Sequence, residues 1–205
     1  MLLYTMTEDE IVNEINKDIQ WVLCGINLHT ERATRRVNKF NRKKFPISLR
    51  YKFITPNANT LYVTYVYTTT RTIFNIKLKF DFLMNNSKGK YKMLEVSLTP
   101  YNTIETISVF SGHFFDRYVE RLNLKNSVNA IEHFISHYYR GTYHVKDGKV
   151  FEPYPFGVGL GNLNGHKFIY INTFIATDMF YKEQSELTKI IQQNHIPSFS
   201  MVTIL

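Results

Sequence analysis

Pro46-Ile47-Ser48-Leu49-Arg50-Tyr51-Lys52-Phe53-Ile54 is the stretch at which the chain changes its period. A proline removes a backbone N–H and pushes its predecessor out of the helical region, so Pro46 ends whatever helix precedes it. From Ile47 onward apolar and polar residues alternate, which is the pattern of a strand with one buried face. Helices are therefore expected before this point and sheet after it.

Working back from Pro46, Thr7-Glu8-Asp9-Glu10 is a capping box, and Ile11, Ile15, Ile19 and Val22 follow at helical spacing. The spacing predicts a helix over residues 7–29 and a second, basic helix over 30–43. Working forward, residues 47–54, 60–67, 72–82 and 91–98 are rich in β-branched and aromatic side chains. Pro56-Asn57-Ala58-Asn59, Thr68-Thr69-Thr70 and Asn85-Asn86-Ser87-Lys88-Gly89 separate them. Four such segments at short spacing predict an antiparallel meander.

After Pro100 the pattern changes again. Residues 112–122 and 127–139 read as two helices. Short strands are expected near 142–145, 149–151, 156–160 and 167–175, and a closing helix over 178–193. The fold class is α+β: N-terminal helices, an antiparallel β meander, then a helix pair with a small antiparallel sheet and a closing helix. A soft boundary near residue 105 separates a 1–105 unit from a 106–205 unit.

Composition narrows the function classes. The 205 residues are 44% hydrophobic and 20% charged, a globular balance with enough chain for a sizeable core. The single Cys24 excludes an intramolecular disulfide and a cysteine-rich zinc site. No apolar run is long enough to span a bilayer, and the opening Met1-Leu2-Leu3-Tyr4-Thr5-Met6 lacks the parts of a signal peptide. These features predict a cytoplasmic protein with no membrane partner.

The net charge is +8, and it is concentrated. Between Glu31 and Lys52 there are nine Lys or Arg residues and one acid, a surplus equal to that of the whole chain. Arg32, Arg35, Arg36, Lys39, Arg42, Lys43 and Lys44 recur at helical steps and predict a cationic stripe. Such a stripe suits a nucleic-acid backbone, and a solvated helix face is the competing reading. The abundance of Tyr and Phe is weak support for base stacking, because an AT-rich coding sequence gives the same composition.

A second constellation lies in Gly112-His113-Phe114-Phe115-Asp116-Arg117-Tyr118-Val119-Glu120-Arg121. His113, Arg117 and Arg121 are four apart, so they share one side of the predicted helix. A group titrating near neutrality beside two permanent cations suits a phosphodiester, whose charge grows in the transition state. The plain alternative is an amphipathic helix with Phe114, Tyr118 and Leu122 inward. His133 and His137 have metal-ligand spacing, but Phe134-Ile135-Ser136 lacks the glutamate of the zinc-protease pattern and no acid cluster offers a third ligand. They are read as packing or surface histidines, with no metal. Gly157-Val158-Gly159-Leu160-Gly161 lacks the context of a phosphate loop and reads as a turn or bulge. In Ile169-Tyr170-Ile171-Asn172-Thr173-Phe174-Ile175, Asn172 and Thr173 point to opposite faces, so one of them meets whatever lies beside the sheet.

The His113–Arg117–Arg121 helix, followed by a helix, several short strands and Thr173 on a late strand, resembles the phage-type ribonucleases of the barnase–EndoU–colicin–RelE-like superfamily. The resemblance covers residues 111–177. It implies metal-independent RNA cleavage without a cofactor, in a protein of phage or mobile-element origin acting in a bacterial host. His113 would be the general base or acid, Arg117 and Arg121 would hold the phosphate oxygens, and Thr173 would donate a hydrogen bond to phosphate or fix the histidine. The competing expectation is a non-enzymatic accessory protein that binds nucleic acid or a partner protein, including an inhibitory one. An enzyme needs His113, Arg117 and Thr173 to converge, whereas a binder needs only a continuous positive surface.

Overall fold

A computed structural model describes residues 1–39, 47–70, 73–85, 91–99, 101–125, 127–137, 143–165, 167–179 and 200–201. The elements in chain order are α1 (Glu8–Asn38), β1 (Ile47–Ile54), β2 (Thr60–Thr70), β3 (Ile73–Asn85), β4 (Tyr91–Leu98) and β5 (Ile104–Phe110). Then come α2 (Gly112–Leu122), α3 (Ser127–His137), β6 (His144–Lys146), β7 (Lys149–Tyr154), β8 (Gly157–Asn164), β9 (Phe168–Ala176) and β10 (Ser200–Met201). The chain is α+β, and its described residues fall into two compact units: those within 1–84, 95–105 and 199–205, and those within 85–94 and 106–198.

In the first unit α1 starts where the capping box places it. The Thr7 hydroxyl accepts from the Glu10 backbone N–H, and the Glu10 carboxylate accepts from the Thr7 N–H at 2.8 Å. The expected break near residue 30 is absent: α1 is one helix of 31 residues. Thr30 does not cap a new helix, because its side chain lies beside the buried Tyr65 phenol. One turn on, the Thr34 hydroxyl is hydrogen-bonded to that of Tyr67 at 3.3 Å. With both hydroxyls turned toward the sheet, neither competes with the helical backbone.

β1, β2 and β3 pair antiparallel, with Tyr51 beside Val63 and Phe80, and Arg50 beside Thr64 and Lys79. The Tyr51 face lies under α1. There Ile15, Ile19, Val22, Ala33 and Val37 bury against Leu49, Leu61, Val63, Tyr65, Tyr67, Phe80 and Phe82. Each fully buried apolar side chain contributes roughly 1.5–3 kcal/mol, so this face carries the stability of the unit. The β1–β2 turn is tied to the helix by Asp18, wholly buried, which accepts from Thr55 Oγ1 at 2.8 Å, Asn57 Nδ2 at 2.8 Å and Asn59 Nδ2 at 2.6 Å.

The opposite face of the same strands is polar and nonetheless buried. Lys79 Nζ lies 3.2 Å from Asp81 Oδ1 and 3.2 Å from Glu95 Oε2, and Arg50 Nε donates to Thr64 Oγ1 at 3.1 Å. Burial pushes the Asp81 carboxyl up to about 6; Lys79 and Arg50 pull it back and Glu95 pushes it further up. Beyond Ile47 and Ser48, which pair in parallel with Ser200 and Met201, β1 has no described neighbour on its outer side.

In the second unit β5 runs parallel to β9, and β9, β8, β7 and β6 follow antiparallel. The sheet is therefore mixed rather than antiparallel, and β5 is a strand that the period reading passed over. The β6–β7 turn, Asp147-Gly148, takes φ of 52° and 73°, a two-residue turn for which Asp-Gly suits. α2 and α3 cover one face of this sheet. Phe110, Phe114, Phe115, Tyr118, Phe134, Tyr154 and Phe174 form one aromatic cluster there, with Tyr118 and Phe174 centroids 4.8 Å apart.

The glycines of β8 belong to that packing. A Cβ on Gly159 would lie 2.6 Å from the Tyr154 ring, and one on Gly161 would lie 1.8 Å from the Tyr170 carbonyl oxygen. The pairing register also shifts between Leu160 and Gly161, so the bulge expected here is present. Of the expected closing helix, Thr177–Met179 forms a single 3-10 turn and the rest lies outside the described residues. Among the described residues no helix is long and apolar enough to cross a membrane.

Candidate nucleic-acid interface

The C-terminal half of α1 gathers Arg32, Arg35, Arg36 and Lys39. The helix carries Glu8, Asp9 and Glu10 in its first turn and Arg35 and Arg36 in its last. That polarity complements the helix dipole, and it accounts for a few cations by stability alone. It does not account for a concavity. His29, Arg32, Arg35, Arg36 and Lys39 of the helix and Tyr51 of β1 line a groove of about 410 Å³. Among the described residues no carboxylate lines it.

Among the described residues, Arg35 alone of the groove cations has an acidic partner. Arg35 Nη2 lies 3.6 Å from Glu31 Oε2, but both side chains are largely exposed and such a pair is worth little. The Arg36 guanidinium sits 5.8 Å from the Tyr51 ring centroid, a cation–π contact that fixes its position. Tyr51 is held edge-on against Tyr65 with centroids 5.6 Å apart, and His29 edge-on against Phe53 at 5.1 Å. The Tyr51 hydroxyl is buried and meets no hydrogen-bond partner among the described residues. The groove therefore has a cationic wall and an aromatic floor.

Arg32, Arg35, Arg36 and Lys39 of the expected stripe stand together here, while Arg42, Lys43 and Lys44 lie outside the described residues. Sequence spacing missed His29 and Tyr51. His29 falls on the same helical side as Arg32 and Arg36, which was a readable signal. Tyr51 joins only because β1 packs beneath the helix, which no local pattern records.

The second constellation is arranged differently. Ser111 caps α2, accepting from the Phe114 N–H at 3.1 Å, and donates to the Asn172 carbonyl at 3.1 Å. Phe114, Phe115 and Tyr118 turn inward, leaving His113 exposed and Arg117 and Arg121 half-buried. Arg117 Nη1 is 2.7 Å from Glu120 Oε2, and Arg121 Nη1 is buried with no hydrogen-bond partner among the described residues. Phe174 faces α2, so its neighbour Thr173 points to the other side of the sheet. Asn172, the extra residue of the bulge, is the one whose backbone meets the start of α2. His113, Arg117 and Arg121 thus share a helix side, and Thr173 is not on it.

His133 and His137 are packing groups. Tyr118 Oη and His133 Nδ1 are 2.9 Å apart, the two imidazoles stack at 4.1 Å, and Phe156 lies against both. Burial, then the neighbouring His137, lowers the His133 pKa. Among the described residues no three His, Cys, Asp or Glu side chains gather as a metal site. No family model, curated protein or solved structure matches this chain.

Proposed function

We propose that this protein binds nucleic acid through the C-terminal half of α1, as a binding module rather than a catalyst. One observation carries the reading: four cations, a histidine and a tyrosine line one groove of about 410 Å³, with no carboxylate among the described residues that line it. Phosphate oxygens entering it would displace counterions and meet the Arg36 guanidinium, already oriented by the Tyr51 ring. Arg32 and Arg36 supply planar, two-pronged donors, and Lys39 a mobile point charge at the open end. RNA is the first ligand to test, because the α2 motif resembles that of ribonucleases. Thr173 stands on the far face of the sheet from α2 and Arg117 is engaged by Glu120, which favours binding over cleavage.

The experiment is equilibrium binding of labelled RNA and DNA to the wild type and to a variant carrying Arg32→Glu, Arg36→Glu and Lys39→Glu. The variant is expected to lose at least about tenfold in affinity at low salt. Equal binding by the two proteins would show that the groove is only a solvated helix face. The same samples, held in chelator, read cleavage. RNA recovered intact supports the binding module, whereas 2′,3′-cyclic phosphate ends that vanish in His113→Ala would restore the nuclease reading.

A further inference from the structure

Resting on the reading of α1 as a nucleic-acid binder, we propose that its ligand is single-stranded and that Trp21 stacks on an unpaired base. Trp21, Leu28, Arg32, Arg35 and Lys39 are separated by steps of seven, four, three and four, so they fall on one side of the helix. The helix's buried apolar residues, Ile11, Ile15, Ile19, Val22, Ala33 and Val37, lie round a different side. Along this outward stripe Trp21 is 45% exposed and Leu28 is 54% exposed. An apolar surface of this kind, continuous with a row of cations, is complementary to a polymer that is anionic along its backbone and aromatic along its bases.

Gly25 adds a second, independent feature. Trp21, Gly25 and His29 are spaced four apart, so the glycine lies directly between the indole and the imidazole. A Cβ there would meet only the His29 ring, at 3.6 Å, so packing does not demand a glycine. A glycine inside a helix costs roughly 1 kcal/mol relative to alanine, and here it leaves a floor without a side chain beside the His29 ring. A base laid over that floor and against Trp21 would place its phosphates toward Arg32 and Arg36. A duplex keeps its base faces stacked internally and cannot use this surface, whereas single strands are typically held by a cationic track with aromatic platforms.

Trp21 is the only tryptophan in the chain, so intrinsic emission reports on this position alone. The experiment titrates the full chain with oligo-U and oligo-dT of about 12 nucleotides, a hairpin of equal length, heparin, and vesicles containing phosphatidylserine. Saturable quenching by the single strands is expected, with weaker binding of the hairpin and heparin binding that leaves the emission unchanged. By calorimetry, which needs no tryptophan, Trp21→Ala should lower single-strand affinity roughly 5- to 150-fold without changing heparin affinity, and Trp21→Phe should restore most of it. Circular dichroism checks that both variants keep the helix. Equal affinity of Trp21→Ala for single strands, equal binding of hairpin and single strand, or a response confined to the vesicles would overturn the proposal, the last making this face a membrane-surface contact. If neither heparin nor any oligonucleotide binds, the groove reading itself fails, and the single-strand inference with it.

Discussion

Asp81 shows how one residue's environment turns into a measurable property of the fold. Its carboxyl is wholly buried, with Lys79 at 3.2 Å, and burial raises its pKa from 3.8 to about 6. A carboxyl that binds its proton more tightly folded than unfolded contributes stability that is complete below about 4. That contribution is lost as pH rises through about 6. Its size is on the order of 2–3 kcal/mol. Asp81→Asn removes the titration and keeps the shape. Denaturant unfolding of both proteins from pH 4 to 7 is expected to show a wild type that loses stability relative to the variant as pH rises; parallel profiles would mean that Asp81 does not titrate in this range. None of this is legible in Phe80-Asp81-Phe82, where an acid between two phenylalanines reads as the solvent face of a strand. Burial of both faces is a tertiary fact.

At the level of elements, what the sequence discloses depends on how local its cause is. The start of α1 was readable because the capping box is completed within four residues. Its continuation past residue 30 was not, because Thr30 lies beside Tyr65 and Thr34 is hydrogen-bonded to Tyr67, both over thirty residues away. β1 to β4 followed from alternation, whereas β5 sits just before the Ser111 cap and pairs in parallel with a strand some sixty residues on. The β8 glycines were readable as a bulge but not as a packing requirement. Gly159→Ala tests that requirement: its new methyl would press on Tyr154 and Ile171 at 2.6 and 2.8 Å, and overpacking of this kind costs typically 1–3 kcal/mol. Thermal unfolding should show a lower Tm with unchanged nucleic-acid affinity. A Tm equal to wild type would show that the aromatic cluster yields without strain.

For the molecule as a whole, the two sequence constellations meet different fates. The α1 cations were visible as a stripe, and folding turns part of that stripe into a groove by placing Tyr51 of β1 beside it. The His113–Arg117–Arg121 spacing was equally visible, but the direction of Thr173 depends on which side of β9 receives Phe174, and that is decided by the aromatic cluster. The central claim, that the α1 groove binds a nucleic-acid backbone, is tested most directly by the salt dependence of single-stranded RNA binding. With four groove cations each neutralising a phosphate, log affinity should fall against log salt with a slope of about −2 to −3. The Arg32→Glu, Arg36→Glu, Lys39→Glu variant should give a slope near zero. A wild-type slope already near zero, or a variant slope equal to the wild type's, would contradict the account.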